Sequence, residues 1–232
     1  MLIRPLILFG FGLLLVGCVP VIAPENSTQP ASSASGVVAE TRKEGSPTLK
    51  IVPSPLMGSG ALPERLLETG ILVIGQKNAP LTLVLFTNHS CRYCREFEEV
   101  YFPRLTEDFL RAGKLKLEIV LLPLKKYPES ALAASSLFCA AAQGKGLLMH
   151  ESLFDTSITR RSVIDLAETL SLDTDIFGTC LDAPETARVL LEQASIAEML
   201  ATEFVPTFFL NGEKFIGLPT YADLRGRIEN QE

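Results

Sequence analysis

The sequence contains no run of basic residues, and its 232 residues carry a formal net charge of −6. Proteins that bind nucleic acid normally present clustered lysine and arginine to the phosphate backbone, so this composition argues against a nucleic-acid partner. Tryptophan is absent as well, although 47% of the residues are hydrophobic and 21% are charged, which is typical of a globular protein. The length suffices for one domain of ordinary size with appendages.

The amino terminus lacks an apolar run long enough to cross a bilayer comfortably. A short start with one basic residue, Arg4, precedes an almost wholly apolar segment that ends in Leu-Val-Gly-Cys at Cys18. This pattern resembles a bacterial lipobox, in which cleavage occurs before the cysteine and its sulfur is acylated. We therefore predict a lipoprotein signal peptide over residues 1–17 and a lipid anchor on Cys18. An ordinary signal peptide and an uncleaved anchor helix are the alternatives.

The cysteine count supports this prediction. Five cysteines is an odd number, which is awkward for an exported protein in a compartment where disulfides persist. If Cys18 carries lipid, four cysteines remain and can form two pairs. Residues 18–60 are rich in small and polar residues and lack sustained apolar periodicity, so we predict a flexible tether there, with Leu49–Val52 as a candidate edge strand.

The most informative stretch is the apolar run of residues 81–86, which leads through a polar turn to Cys91 and Cys94. A helical pattern follows at once, so we predict a buried strand with both thiols on the first turn of a helix. Unpaired N–H groups and the helix dipole favour a thiolate at that place. Redox chemistry is therefore the preferred interpretation, and a structural disulfide is the alternative. A zinc site would need a second close pair of cysteines, which the sequence does not contain.

The remaining periodicity predicts a mixture of strands and helices. An apolar repeat every four residues predicts a helix from Cys94 to about Gly113, with a kink at Pro103. An Asn-Gly pair at residues 211–212 predicts a hairpin, and Thr220 with Asp223 resembles a capping box. The other predicted elements are a helix at 61–69, strands at 71–75 and 114–122, and helical segments at 131–142, 146–154, 162–170 and 185–204.

Together, Cys91-Arg92-Tyr93-Cys94 on the first helix and Phe204-Val205-Pro206-Thr207 before the hairpin resemble the thioredoxin fold. More narrowly, the chain resembles the DsbA-like thioredoxin family, in which a helical domain interrupts that fold. The resemblance covers about residues 70–232. It implies an α/β thioredoxin fold with an inserted helical subdomain, divided into a first part at 61–124, the insertion at 125–204 and a second part at 205–232.

The resemblance also assigns roles at the site. Cys91 would be the nucleophile and Cys94 the residue that resolves a mixed disulfide, with Arg92 as a cation that favours the thiolate. Pro206 would be a cis-proline that exposes the backbone of Val205 to an extended substrate, and Thr207 completes this substrate-binding segment. No cofactor is implied beyond the redox-active disulfide, and no metal.

Six further residues carry separate expectations. Cys139 and Cys180 fall in different segments of the insertion, and we predict a structural disulfide between them, with a second redox pair as the alternative. The family usually has an acidic residue beneath the motif as a proton relay, where this chain has Leu85, so water or a different group must serve. Asn88 stands where Asp is common. We expect His89 to be an exposed loop residue and His150 to serve in packing or on a helix surface.

These features predict an exported, lipid-anchored thiol:disulfide oxidoreductase of the bacterial cell envelope, facing the periplasm in a Gram-negative cell. By the resemblance, it would oxidise unfolded or cysteine-containing exported proteins and be recycled by a membrane redox partner. A reductase or isomerase is the alternative within the same chemistry. A non-catalytic chaperone or binding lipoprotein is the alternative from another class.

Overall fold

A computed structural model describes residues 61–232. The predicted signal peptide, Cys18, the tether and the candidate strand Leu49–Val52 lie outside the described residues. In the described part of the chain, no helix combines the length and the apolar character needed to cross a membrane.

The described residues form a six-stranded mixed sheet in the order β1-β2-β4-β3-β5-β6. β3 lies parallel to β4 and antiparallel to β5, and every other pairing is antiparallel. Leu85 of β3 is therefore paired on both sides, with Ile119 and with Phe208. The predicted interior strands and the Asn-Gly hairpin are confirmed. The strands are β1 (Glu64–Leu66), β2 (Leu72–Ile74), β3 (Leu81–Thr87), β4 (Leu115–Leu121), β5 (Thr207–Leu210) and β6 (Glu213–Ile216).

The helix predicted at residues 61–69 is wrong, because Glu64–Leu66 form the edge strand β1. The four-residue spacing of Leu62 and Leu66 suggested a helix, but both residues are also buried at the alternating spacing of a strand. β1 pairs with β2, and the Glu64 carboxylate accepts the N–H groups of Gly146 and Leu147 at 2.7 and 2.9 Å. Tertiary contacts therefore determine that these residues form a strand, and the local sequence pattern does not reveal those contacts.

The helix that follows the cysteines is built from four consecutive pieces. α1 (Arg92–Glu96) leads into a π-helical turn, π1 (Phe97–Tyr101), then α2 (Phe102–Leu105) and a second π-helical turn, π2 (Thr106–Leu110). Pro103 is the second residue of α2 and has no N–H to donate to the turn before it. The widened turn of π1 directly before it accommodates the proline within a continuous helical path.

Five helices form the insertion, and four of them match the predicted segments. The helix α6 was not predicted, although its N-cap Asp173, which accepts the N–H groups of Asp175 and Ile176, is a usable signal in the sequence. The last of the five ends at Met199, five residues earlier than predicted. The helices are α3 (Ser130–Ala141), α4 (Gly146–Leu153), α5 (Arg160–Thr169), α6 (Thr174–Leu181) and α7 (Pro184–Met199).

The insertion shares one hydrophobic core with the sheet. Leu85 and Phe208 of the sheet belong to the same buried cluster as Leu137, Phe177 and Val189 of the insertion. A disulfide joins Cys139 on α3 to Cys180 on α6, with an S–S distance of 2.01 Å. The last helix, α8 (Tyr221–Glu229), begins as predicted, because the Thr220 side chain accepts the N–H of Asp223. The helices of the insertion therefore pack against the sheet whose strand β3 leads to the cysteines.

Candidate active site

Both cysteines of the motif are free thiols at the start of α1, directly above the end of β3. Cys91 occupies the N-cap position and is half-buried, whereas Cys94 in the first turn is buried. An N-cap sulfur lies beside the N–H groups that have no partner within the helix, as the sequence predicted. The four cysteines of residues 61–232 are thus this dithiol and the Cys139–Cys180 disulfide.

Asn88 organises the loop that carries Cys91. Its side-chain NH2 donates to the carbonyl of Leu122 at 2.9 Å, and its side-chain oxygen accepts the N–H of Ser90 at 2.9 Å. The N–H of Cys91 donates to the Asn88 main-chain carbonyl at 3.1 Å. An ionised aspartate can only accept hydrogen bonds, so it could not make the contact with Leu122. The departure from the family pattern at this position therefore has a structural role.

The two thiols have opposite electrostatic environments. A hydrogen bond from the Cys94 side chain, aided by the N–H groups of Cys94 and Tyr93, lowers the pKa of Cys91 to about 6, although burial acts against it. The same hydrogen bond, together with burial, raises the pKa of Cys94. At neutral pH the pair therefore holds a thiolate at Cys91 and a thiol at Cys94.

Arg92 is not among the groups that lower the pKa of Cys91, contrary to the expectation from the sequence. Its guanidinium group lies 5.4 Å from the centre of the Tyr93 ring. Tyr93 itself is 52% exposed. Local backbone and the partner thiol, rather than a neighbouring cation, set the environment of the reactive sulfur.

The segment before the hairpin lies against Cys91. The Val205–Pro206 peptide bond is cis, and Cys91 Sγ lies 3.4 Å from the carbonyl oxygen of Val205. The Thr207 hydroxyl donates to the Phe204 carbonyl at 2.6 Å, and the Phe204 side chain is 64% exposed. A thiol can donate to the Val205 carbonyl but a thiolate cannot, so ionisation of Cys91 leaves this carbonyl free for another donor.

A polar group that the sequence analysis did not identify contacts Cys94 from the buried side. Leu85, which stands at the family's acidic position, is 1% exposed and belongs to the core. The Thr87 hydroxyl forms a hydrogen bond with Cys94, and this bond together with the N–H of Asn88 favours the Cys94 thiolate. Thr87 is itself 1% exposed at the end of β3.

The expectation that His89 is exposed is wrong, because the insertion covers it. His89 is 7% exposed, its Nε2 lies 3.1 Å from the His150 carbonyl oxygen, and its ring centre lies 4.6 Å from that of Phe154. Burial, with smaller contributions from His150 and Arg95, lowers the pKa of His89 well below its usual range. A contact across 61 residues of sequence is not visible in the local pattern.

His150 lies wholly inside the protein, which matches the packing alternative for this residue. Its Nε2 is 3.2 Å from an oxygen of Glu98, a buried carboxylate that the sequence analysis did not identify. Glu98 comes four residues after Cys94, so the redox helix and α4 meet through these side chains. Among residues 61–232, no group of three or more His, Cys, Asp and Glu side chains is placed to hold a metal ion.

Comparison with known proteins supports the fold. The chain is 23% identical over 168 residues to disulfide bond formation protein D of Bacillus subtilis, covering 68% of this chain and 76% of that protein. It is 28% identical over 148 residues to the Na⁺/H⁺ antiporter NhaA 3 of Salinispora tropica, covering 62% of this chain but only 22% of the antiporter. The crystal structure of oxidised BdbD from B. subtilis superposes with a TM-score of 0.63 at 22% identity, covering 73% of this chain and 97% of BdbD.

The expected thioredoxin fold is therefore confirmed by the sheet, by the site at the end of β3 and by these neighbours. The family model described as thioredoxin matches residues 68–230, which include both motif cysteines and the cis-proline. The chain belongs to the thioredoxin family.

Proposed function

We propose that the protein is a thiol:disulfide oxidoreductase that exchanges disulfides with cysteine-containing exported polypeptides through Cys91 and Cys94. The observation that carries the proposal is the asymmetric pair of thiols, in which the pKa of Cys91 is lowered to about 6 and that of Cys94 is raised. A purely structural disulfide has no need of this asymmetry. The likeness to disulfide bond formation protein D supports the same chemistry.

The reaction begins with the Cys91–Cys94 disulfide. A thiolate of the substrate attacks Cys91 Sγ, which forms a mixed disulfide and releases Cys94, and Cys94 takes up a proton because its pKa is raised. A second substrate thiolate then attacks the substrate sulfur of the mixed disulfide and releases Cys91 as a thiolate. Two electrons pass to the enzyme, and of the two substrate protons one is retained on Cys94 while the other enters solvent. Val205, Pro206 and Thr207 would hold the extended substrate beside Cys91.

The thiolate at Cys91 favours the oxidising direction. A stable thiolate stabilises the reduced enzyme, and it is also a good leaving group when the mixed disulfide resolves toward the substrate. A reductase needs the opposite balance. We therefore propose an oxidant that a membrane redox partner returns to the disulfide form, with no cofactor other than the cysteine pair.

The proposed location is the bacterial cell envelope. The lipobox-like segment supports a signal peptide over residues 1–17 and a lipid on Cys18, and the odd number of cysteines agrees with that assignment. In this proposal residues 18–60 tether the thioredoxin part, formed by 61–124 and 205–232, to the membrane, and residues 125–204 are its insertion. Growth with a labelled fatty acid is expected to label the full chain but not Cys18→Ser. A full chain that takes up no label would contradict the lipid anchor.

The activity is tested with Cys94→Ala in the full chain. This variant is expected to accumulate mixed disulfides between Cys91 and exported proteins, which diagonal gels without and with reductant would resolve. Cys91→Ala is the matched control and should capture nothing. A reactive Cys91 that captures no partner would favour a non-catalytic binding lipoprotein.

The direction of electron flow is tested by equilibrating the cysteine pair with glutathione. A potential of about −120 mV is expected for an oxidant, whereas about −270 mV would identify a reductase. Measurement on the Cys139→Ala/Cys180→Ala background keeps the second disulfide out of the equilibrium.

A further inference from the structure

The loop that carries Cys91 is attached to the helical insertion at three points. The Ser90 hydroxyl donates to Glu129 at 2.8 Å, just before α3. Arg95 on α1 donates to the main-chain carbonyl of Phe154 and to Asp155, the latter at 2.7 Å. Between these two attachments, His89 makes its 3.1 Å contact with the carbonyl of His150 near the end of α4.

The His89 contact has a defined direction. A main-chain carbonyl can only accept, so His89 Nε2 must carry the proton and donate it. Nδ1 is then a lone-pair acceptor, and it is buried without a partner among the described residues. The neutral imidazole is thus held by a single hydrogen bond and by ring contacts with His150 and Phe154 at 5.1 and 4.6 Å.

α4 is fixed at both ends, which makes the His150 carbonyl a rigid acceptor. Glu64 of β1 accepts the N–H groups at the amino-terminal end of α4. Near the other end of α4, the His150 side chain is buried against Glu98. The buried His89 lies only two residues before Cys91. Any displacement of His89 must therefore be passed through Ser90 to the N-cap sulfur.

We propose that His89 is a positioning residue for Cys91: its Nε2–H bond to the His150 carbonyl holds the loop so that the sulfur stays at the amino terminus of α1. The proposal rests on the proposed function, since Cys91 is taken as the reacting thiol. The charged and titratable groups that surround this contact are Arg95, Glu98, His150, Glu151, Asp155 and, through Ser90, Glu129. Loss of the anchor loosens the loop, so the thiolate loses part of its N–H stabilisation.

The test is the pH dependence of Cys91 alkylation by iodoacetamide in the reduced full chain. His89→Phe keeps an aromatic ring but has no N–H donor, and it is expected to raise the alkylation midpoint and to slow alkylation at pH 6 by about threefold or more. His89→Gln places an amide NH2 near the Nε2 position and should restore most of the rate. His89→Asn also has an amide, but it is too short to reach the carbonyl, and it should behave like His89→Phe.

His150→Phe separates the hydrogen bond from any other effect of the neighbouring imidazole. It removes that imidazole while keeping the main-chain carbonyl that accepts from His89, so its alkylation midpoint is expected to move much less than in His89→Phe. An unchanged midpoint in His89→Phe, or an equal shift in both variants, would overturn the proposal. If His89→Phe does not fold, the comparison of Asn with Gln at position 89 makes the same distinction.

Alkylation requires no polypeptide partner. The outcome is therefore independent of whether Cys94→Ala captures exported proteins, and failure of one proposal can be told from failure of the other.

Discussion

The hydroxyl of Thr87 hydrogen-bonds to the thiol of Cys94 on the buried side of the motif, two residues along β3 from the apolar Leu85. A hydroxyl can both donate and accept, so it can stabilise Cys94 in its thiol and its thiolate form. It carries no charge of its own and cannot act as an acid at neutral pH. The site therefore assists the buried cysteine through an uncharged hydroxyl group.

Thr87→Val is expected to slow the attack of Cys94 on a mixed disulfide by about tenfold, because a buried thiolate would lose one hydrogen bond while the packing volume is kept. The rate can be followed in single turnover from a preformed mixed disulfide at Cys91. Thr87→Ser retains the hydroxyl and serves as the control. Equal rates for the Val and Ser variants would show that Thr87 acts only in packing.

The stability of the reduced protein is expected to rise between about pH 6 and pH 9. The pKa of Cys91 is about 6 in the folded chain against an ordinary value of 9.0, so over this interval the unfolded chain binds the additional proton. The contribution of Cys91 is complete above pH 9 and is lost as the pH falls through 6. The raised pKa of Cys94 acts in the opposite direction and lowers the stability again above about pH 9. Urea midpoints of the reduced protein should follow this trend relative to Cys91→Ser. Among residues 61–232 the oxidised protein has no thiol to titrate, and a similar trend there would contradict the assignment.

Removing the Cys139–Cys180 disulfide is expected to lower the free energy of unfolding by about 2–4 kcal/mol, because the bond closes a long loop in the unfolded chain. The two cysteines are 41 residues apart. Urea unfolding of Cys139→Ala/Cys180→Ala gives the value, and Cys91→Ala/Cys94→Ala is the matched control that leaves this disulfide intact. A loss of unfolding free energy of less than about 2 kcal/mol, with Cys91 fully reactive, would show that packing and not the disulfide holds the insertion together.

Gly70→Ala is expected to destabilise the fold by roughly 1–3 kcal/mol more than Gly212→Ala. Both glycines have positive φ, +76° and +91°, so the backbone strain of an added side chain is similar. A Cβ at position 70 would lie 2.1 Å from Val189 Cγ1, whereas nothing lies within 4 Å of a Cβ at position 212. Thermal unfolding of both variants isolates the steric contribution, and equal losses would argue against close packing of α7 on this turn.

The sequence predicted the parts of the molecule that local patterns determine. β3, β4 and the Asn-Gly hairpin follow from apolar runs and turn residues, and the cysteine pair follows from its place between strand and helix. Residues whose environment comes from distant segments were assigned wrongly or missed. His89 is covered by α4, Thr87 contacts a residue of the next element, and β1 is a strand because β2 lies beside it.

The contact between Glu64 and α4 has a consequence for the minimal active fragment. Glu64 is the first residue of β1, yet its carboxylate caps a helix that ends beside the redox loop. A fragment that starts after Leu66 would keep both motif cysteines, the cis-proline and the insertion, but it would leave the amino terminus of α4 uncapped. The boundary between tether and folded enzyme therefore has to be drawn before Glu64, well ahead of the segment that carries the chemistry.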